Sequence, residues 1–138
     1  MPFMLDTTVA AALIRGDITE DRNAQLAATL PQELCVSAVT RAELLLGLMD
    51  FPEHLMLRRV LLSFFQIVRS LAWDDAAADE YARVRPLAVR DGADMGELDI
   101  MVAAHAVAAG ATSPNVRAIA TRSNWSRSWS PSTASRRW

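Results

Sequence analysis

Two short apolar runs, at residues 2–5 and 34–37, and a third strand-like segment at 66–71 are separated by longer segments whose apolar residues recur at helical spacing. Runs this short, without a polar alternation, read as strands buried on both faces. Strands joined through helices are parallel, because a parallel pair needs a crossover of a dozen residues or more. Parallel sheets carry helices on both faces, which is why their strands are apolar throughout. The pattern therefore predicts an α/β chain, a parallel sheet flanked by helices. Its 138 residues suit one domain with one core.

Local punctuation sets the expected elements. Asp6-Thr7-Thr8 offers side-chain caps to a helix that reaches Arg15 and stops at Gly16. A second helix is expected over 22–30, ending before Pro31. Over 38–49 the residues Val39, Ala42, Leu45, Leu46 and Met49 fall at helical spacing. Leu44 and Leu48 widen that stripe, which fits either ordinary core or, with Met49, a dimer surface. Pro52 opens a further helix to about 65, Asp74 caps one that runs to 89, and residues 97–109 form an apolar helix closed by Gly110. The sheet then needs another strand. The next residues are Thr112-Ser113-Pro114-Asn115, where Pro114 removes a ladder hydrogen bond, and 116–121 arrives late.

Composition excludes several classes. Cys35 is the one cysteine, so neither an internal disulfide nor a cysteine-rich zinc site is available, and it reads as a small buried hydrophobe. No stretch approaches the ~20 apolar residues of a membrane span, and no basic-then-apolar leader opens the sequence. A cytoplasmic protein with no membrane association is expected. The net charge of −2 argues against binding nucleic acid through bulk positive charge. That average conceals a seam. Residues 1–111 hold all 16 acids and nine of the 14 basic residues, whereas 112–138 hold five arginines, seven serines, three of the four tryptophans and no acid. The expected organisation is a body over 1–111 and an atypical Ser/Arg/Trp-rich segment over 112–138.

Three acids stand in apolar surroundings: Asp6 after Phe3-Met4-Leu5, Glu43 before Leu44-Leu45-Leu46, and Asp99 before Ile100-Met101-Val102. Asp6 closes the first strand, at the edge where open parallel sheets place their ligands. Buried carboxylates that cluster share a cation or a proton. Three converging oxygen donors suit Mg²⁺ or Mn²⁺, ions that assist in-line phosphodiester displacement. Plainer roles stand beside this one. Asp6 fits a helix N-cap, and Thr40-Arg41-Ala42-Glu43 fits a capping box, as does Asp94-Met95-Gly96-Glu97. His105, in an apolar helix, reads as a packing residue rather than a general base, and Arg41, Arg58 and Arg59 as a solvated face.

The blocks Met4-Leu5-Asp6-Thr7-Thr8, Val36-Ser37-Ala38-Val39-Thr40-Arg41-Ala42-Glu43-Leu44-Leu45-Leu46-Gly47 and Gly96-Glu97-Leu98-Asp99-Ile100-Met101-Val102-Ala103-Ala104-His105-Ala106 resemble PIN-domain ribonucleases, most nearly the VapC toxins. The resemblance covers about residues 1–111. It implies a three-layer PIN-like fold around a five-stranded parallel sheet, and Mg²⁺- or Mn²⁺-dependent endoribonuclease activity through metal-activated water. Asp6, Glu43 and Asp99 would be catalytic, metal-binding acids, with Thr7 supporting the first carboxylate. The implied partners are an RNA substrate, a cognate VapB antitoxin and a second copy of the chain.

Beyond Gly110 the family pattern departs. The family supplies a strand ending in Thr-Asn or Thr-Asp, whose acid or amide is a fourth metal-site position; here no acid follows Asp99, and Asn115 and Asn124 lie outside that motif. Altered or missing C-terminal strands are expected, leaving the strand that bears Asp6 with an unpaired edge. The switch in composition fits a shifted reading frame, which a nucleotide sequence lacking a VapC-like continuation in either other frame would refute. A divergent functional terminus and a basic tail stacking on RNA remain as alternatives. The competing function is a catalytically inactive PIN remnant that dimerises or binds an antitoxin.

Overall fold

The computed structural model describes residues 2–17, 31–90, 92, 94–113 and 116. The helix expected over 22–30, together with Asn115 and Asn124, lies outside these. Strand β1 (Phe3–Leu5) leads into α1 (Thr7–Arg15). A 3₁₀ turn (Pro31–Glu33) precedes β2 (Leu34–Ser37), which passes without a loop into α2 (Ala38–Met49). Then come α3 (Leu55–Ile67), β3 (Arg69–Leu71), α4 (Asp75–Arg90) and α5 (Glu97–Ala108).

The three strands are parallel in the order β1-β2-β3, with Met4 opposite Cys35 and Cys35 opposite Arg69. Alternate side chains enter opposite layers, as the period of two requires. Leu5 and Val36 pack with Val9 and Ala10 of α1 and with Val68, bordered by Phe64 and Phe65 of α3. Met4 and Cys35 pack on the other face against Val102 and Ala106 of α5. Helix α5 in turn buries Ile100, Ala103 and Ala104 against Val84 and Ala88 of α4. Helices thus cover both faces, giving the expected three-layer α/β arrangement.

The far side of β1 is where the sequence leaves an edge open, and Thr112 stands there. It bridges Phe3 in parallel, accepting from the Met4 N–H (2.8 Å) and donating to the Pro2 carbonyl (2.9 Å). Ser113, beside it, is buried. The ladder contact falls two residues ahead of Pro114, so the proline does not interrupt it.

Several boundaries differ from the sequence expectation for local reasons. Helix α3 begins at Leu55 rather than Pro52, because His54 caps it, its Nδ1 accepting from the Leu57 N–H (3.0 Å). It also runs through Ile67, and the Val68 N–H still bonds the Phe64 carbonyl (2.8 Å), so β3 begins at Arg69 rather than Gln66. At the end of α1, Gly16 adopts φ +70°, and Asp17 N–H closes back on the Ala12 carbonyl (2.8 Å). Glycine supplies that left-handed residue without the steric cost of a Cβ.

Candidate active site

Strands β1 and β2 both end at one edge of the sheet, and each hands directly to a helix. Asp6, one residue past β1, has extended backbone and accepts the Val9 N–H through Oδ1 (2.7 Å). It is therefore the N-cap of α1, and it is buried. The cap fixes the carboxylate at the strand end.

Thr7 opens α1, and its hydroxyl donates to Glu43 Oε1 (2.7 Å), across 36 residues of sequence. The resemblance implied support for the first carboxylate; here the hydroxyl holds the second. Glu43 lies in the second turn of α2, too deep for a capping box. The cap of α2 is instead Ser37, whose Oγ accepts the Val39 N–H (3.1 Å). Glu43 is thereby available to a partner on α1.

Asp99 sits in the first turn of α5, half-buried, with Oδ2 3.7 Å from the point a Cβ on Gly96 would occupy. Its carboxylate leans back over the helix N-terminus, a favourable place for negative charge. The capping box expected at Asp94–Glu97 does not form. Gly96 is the N-cap and makes no side-chain cap bond, while Glu97 accepts from Arg85 Nε (2.7 Å). Helix α5 returns through Gly110 to Thr112 at the start of β1, so its 12 residues, about 18 Å, carry Asp99 toward the edge where β1 and β2 end.

Asp6, Thr7 and Glu43 are thus brought together. Asp99 comes to the same end of the sheet on a separate element. Among the described residues, no group of three or more His, Cys, Asp or Glu side chains is gathered tightly enough to hold a metal ion. In donor chemistry three carboxylates suit a hard divalent cation; in placement they do not yet surround one point.

Two polar residues behind the acids escaped the sequence reading. Ser37 is fully buried, and its Oγ lies 2.7 Å from His105 Nδ1. Burial pushes the His105 pKa down, against opposing pulls from the Asp74 carboxylate and the Ala72 carbonyl. The ring stands edge-to-face on Trp73, 5.5 Å between centroids, so His105 is a buried packing residue with a polar partner. Thr40 is also fully buried, and its Oγ1 finds no hydrogen-bond partner among the described residues. A serine where a strand passes straight into a helix is the local signal for the Ser37 cap. Nothing local signals its bond to His105. Arg41 stacks on the Phe65 ring, 4.2 Å from the centroid, instead of standing in solvent.

The PIN domain family model matches residues 3–122. The chain belongs to the PIN domain family. Solved structures give the same fold: DNA-bound VapBC from Salmonella typhimurium matches with TM-score 0.70 and 26% identity, over 87% of this chain and 91% of that one. FitAcB from Neisseria gonorrhoeae matches with TM-score 0.70 and 26% identity, over 86% and 93%. VapBC-1 from nontypeable Haemophilus influenzae matches with TM-score 0.71 and 23% identity, over 88% and 92%. No relative with a curated description matches the sequence. This PIN-domain chain is VapC-like, and none of its described helices is long and apolar enough to cross a membrane.

Proposed function

We propose that the chain is a VapC-like toxin of a toxin–antitoxin pair, an endoribonuclease that hydrolyses RNA phosphodiesters with Mg²⁺ or Mn²⁺. The observation that carries this reading is the Thr7–Glu43 hydrogen bond, which ties Glu43 to the residue next to buried Asp6 at the strand ends of a PIN fold. Asp6, Glu43 and Asp99 would hold the ion, which supplies Lewis acidity at a phosphoryl oxygen and an acidified water. The α1 cap fixes Asp6 and the Thr7 hydroxyl fixes Glu43, while Asp99 stands on a separate helix.

A partner surface accompanies the site. Leu46 and Met49 at the end of α2, Phe51 in the connecting turn, and Leu55 and Met56 at the start of α3 are all exposed. Neighbouring exposed apolar side chains of this size fit a protein interface. The proposed occupants are a second copy of the chain and a VapB-type antitoxin, the VapBC complexes among the similar structures supporting the latter. Leu48, read from the sequence as part of such a surface, is instead buried, and Leu44 packs against the core.

Incubating the purified protein with RNA and Mn²⁺, with and without chelator, tests the reading. Chelator-sensitive cleavage that is lost in Asp6→Asn is expected, and a parallel DNA substrate separates the two nucleic acids. A dimeric, folded but inert protein would instead support an inactive remnant. That second reading is favoured by the absence of any acid after Asp99 in the sequence and by the lack, among the described residues, of three gathered carboxylates.

A further inference from the structure

We propose that Ser37 and His105 are positioning residues, whose buried hydrogen bond anchors the start of α2 on α5 and so sets where Glu43 stands relative to Asp99. The inference rests on the reading of Glu43 and Asp99 as site acids. Ser37 is the last residue of β2 and the N-cap of α2 at once, with no loop to absorb a displacement. Its Oγ accepts the Val39 N–H (3.1 Å) and meets His105 Nδ1 (2.7 Å), linking residues 68 apart in sequence. Glu43 lies six residues further along α2, about 9 Å of rigid helix, and Asp99 lies as far from His105 on α5. That bond, beside the packing of Val39 against the cluster of Val102 and Ala106, couples the two helices that carry the two acids.

The surroundings leave that bond little freedom. The His105 ring is held edge-to-face against Trp73, and Trp73 against Tyr81 of α4 (6.3 Å between centroids). Both bonded side chains are buried, Ser37 at 0% and His105 at 3% exposure, so water does not substitute for a lost partner. Thr7 holds Glu43 from the side of α1, and the Ser37–His105 bond ties the start of its helix to α5.

The test compares the parent with Ser37→Ala, His105→Leu and His105→Asn, the last placing an amide atom where Nδ1 stood. Amide hydrogen exchange is measured first, without metal. Residues 38–43 should exchange about tenfold faster in Ser37→Ala and His105→Leu relative to α4, with near-parental rates in His105→Asn. Calorimetric titration with Mn²⁺ is the second measurement, and the same two variants should bind about tenfold more weakly, with recovery in His105→Asn. Unchanged exchange at 38–43, or equal acceleration in α2 and α4, overturns the anchoring. Faster exchange with parental Mn²⁺ affinity overturns its control of Glu43. A parent that binds Mn²⁺ no better than Asp99→Asn overturns the metal reading instead, while the exchange rates still decide the anchoring.

Discussion

Replacing Thr7 by valine keeps the β-branched shape at the start of α1 and removes one hydroxyl. That hydroxyl donates to Glu43 Oε1 at 2.7 Å, a short bond to a carboxylate. Hydrogen bonds to charged groups contribute about 1.5–3 kcal/mol when buried. Both residues here are only partly buried, so solvent competes and about 1 kcal/mol is expected. With a urea m-value of about 1–2 kcal/mol/M, the unfolding midpoint of Thr7→Val should fall by roughly 0.5–1 M. Thr7→Ser, which retains the donor, should lose less than half as much. A double-mutant cycle with Glu43→Ala isolates the pair, and a coupling of about 1 kcal/mol is expected. The same variant should lower any metal-dependent cleavage, because Glu43 loses its fixed orientation. Coupling within about 0.3 kcal/mol of zero would show that the two side chains act independently and would remove the main support for the site.

Asp6 separates two roles in one residue. Asp6→Ala should cost about 1 kcal/mol through loss of the α1 cap, whereas Asp6→Asn keeps the cap acceptor, leaves urea stability nearly parental and abolishes cleavage. Thr40→Val removes a buried hydroxyl that has no partner among the described residues, and should raise stability by about 1 kcal/mol in thermal melts; a loss of similar size would reveal a partner for Oγ1. His105 makes stability depend on pH. Its folded-state pKa lies below that of the unfolded chain, so the unfolded state binds more protons in the interval between them. That contribution is complete above about pH 6.5 and is lost as pH falls through the folded value, a decline that His105→Leu should flatten in urea titrations.

Much of the fold arises from local signals that act within a few residues. The cap at Asp6, the stop at Gly16, the Asp74 acceptor for the Ala77 N–H and the bounds of α2 are each legible in the sequence, because each depends on bonds to near neighbours. The parallel sheet is legible from the apolar runs, because only burial on both faces justifies them. Which face of α2 enters the core is not. Apolar residues crowd that helix on every side, and spacing picks out Ala42, Leu46 and Met49, all of which are exposed, while Thr40 and Leu48 are buried. When apolar residues surround a helix, periodicity loses its power to choose, and the neighbours across the core decide.

The three acids were likewise visible one at a time, as carboxylates out of place in apolar text. Sequence spacing could not say that Thr7 reaches Glu43 or that Ser37 reaches His105, since those bonds close loops of 36 and 68 residues. Both rival capping boxes are locally plausible. The first is refused locally, because Ser37 already caps α2, and the second by a contact between helices, because Arg85 holds Glu97. Tertiary structure also brings Thr112 to the open side of β1, where the departure from the family pattern after Gly110 implied a bare edge. The sequence by itself determined the kinds of element and the candidate acids, because propensity and capping are short-range. The long-range packing of β1, α2 and α5 decided which acid meets the Thr7 hydroxyl and which apolar side chains of α2 stay exposed.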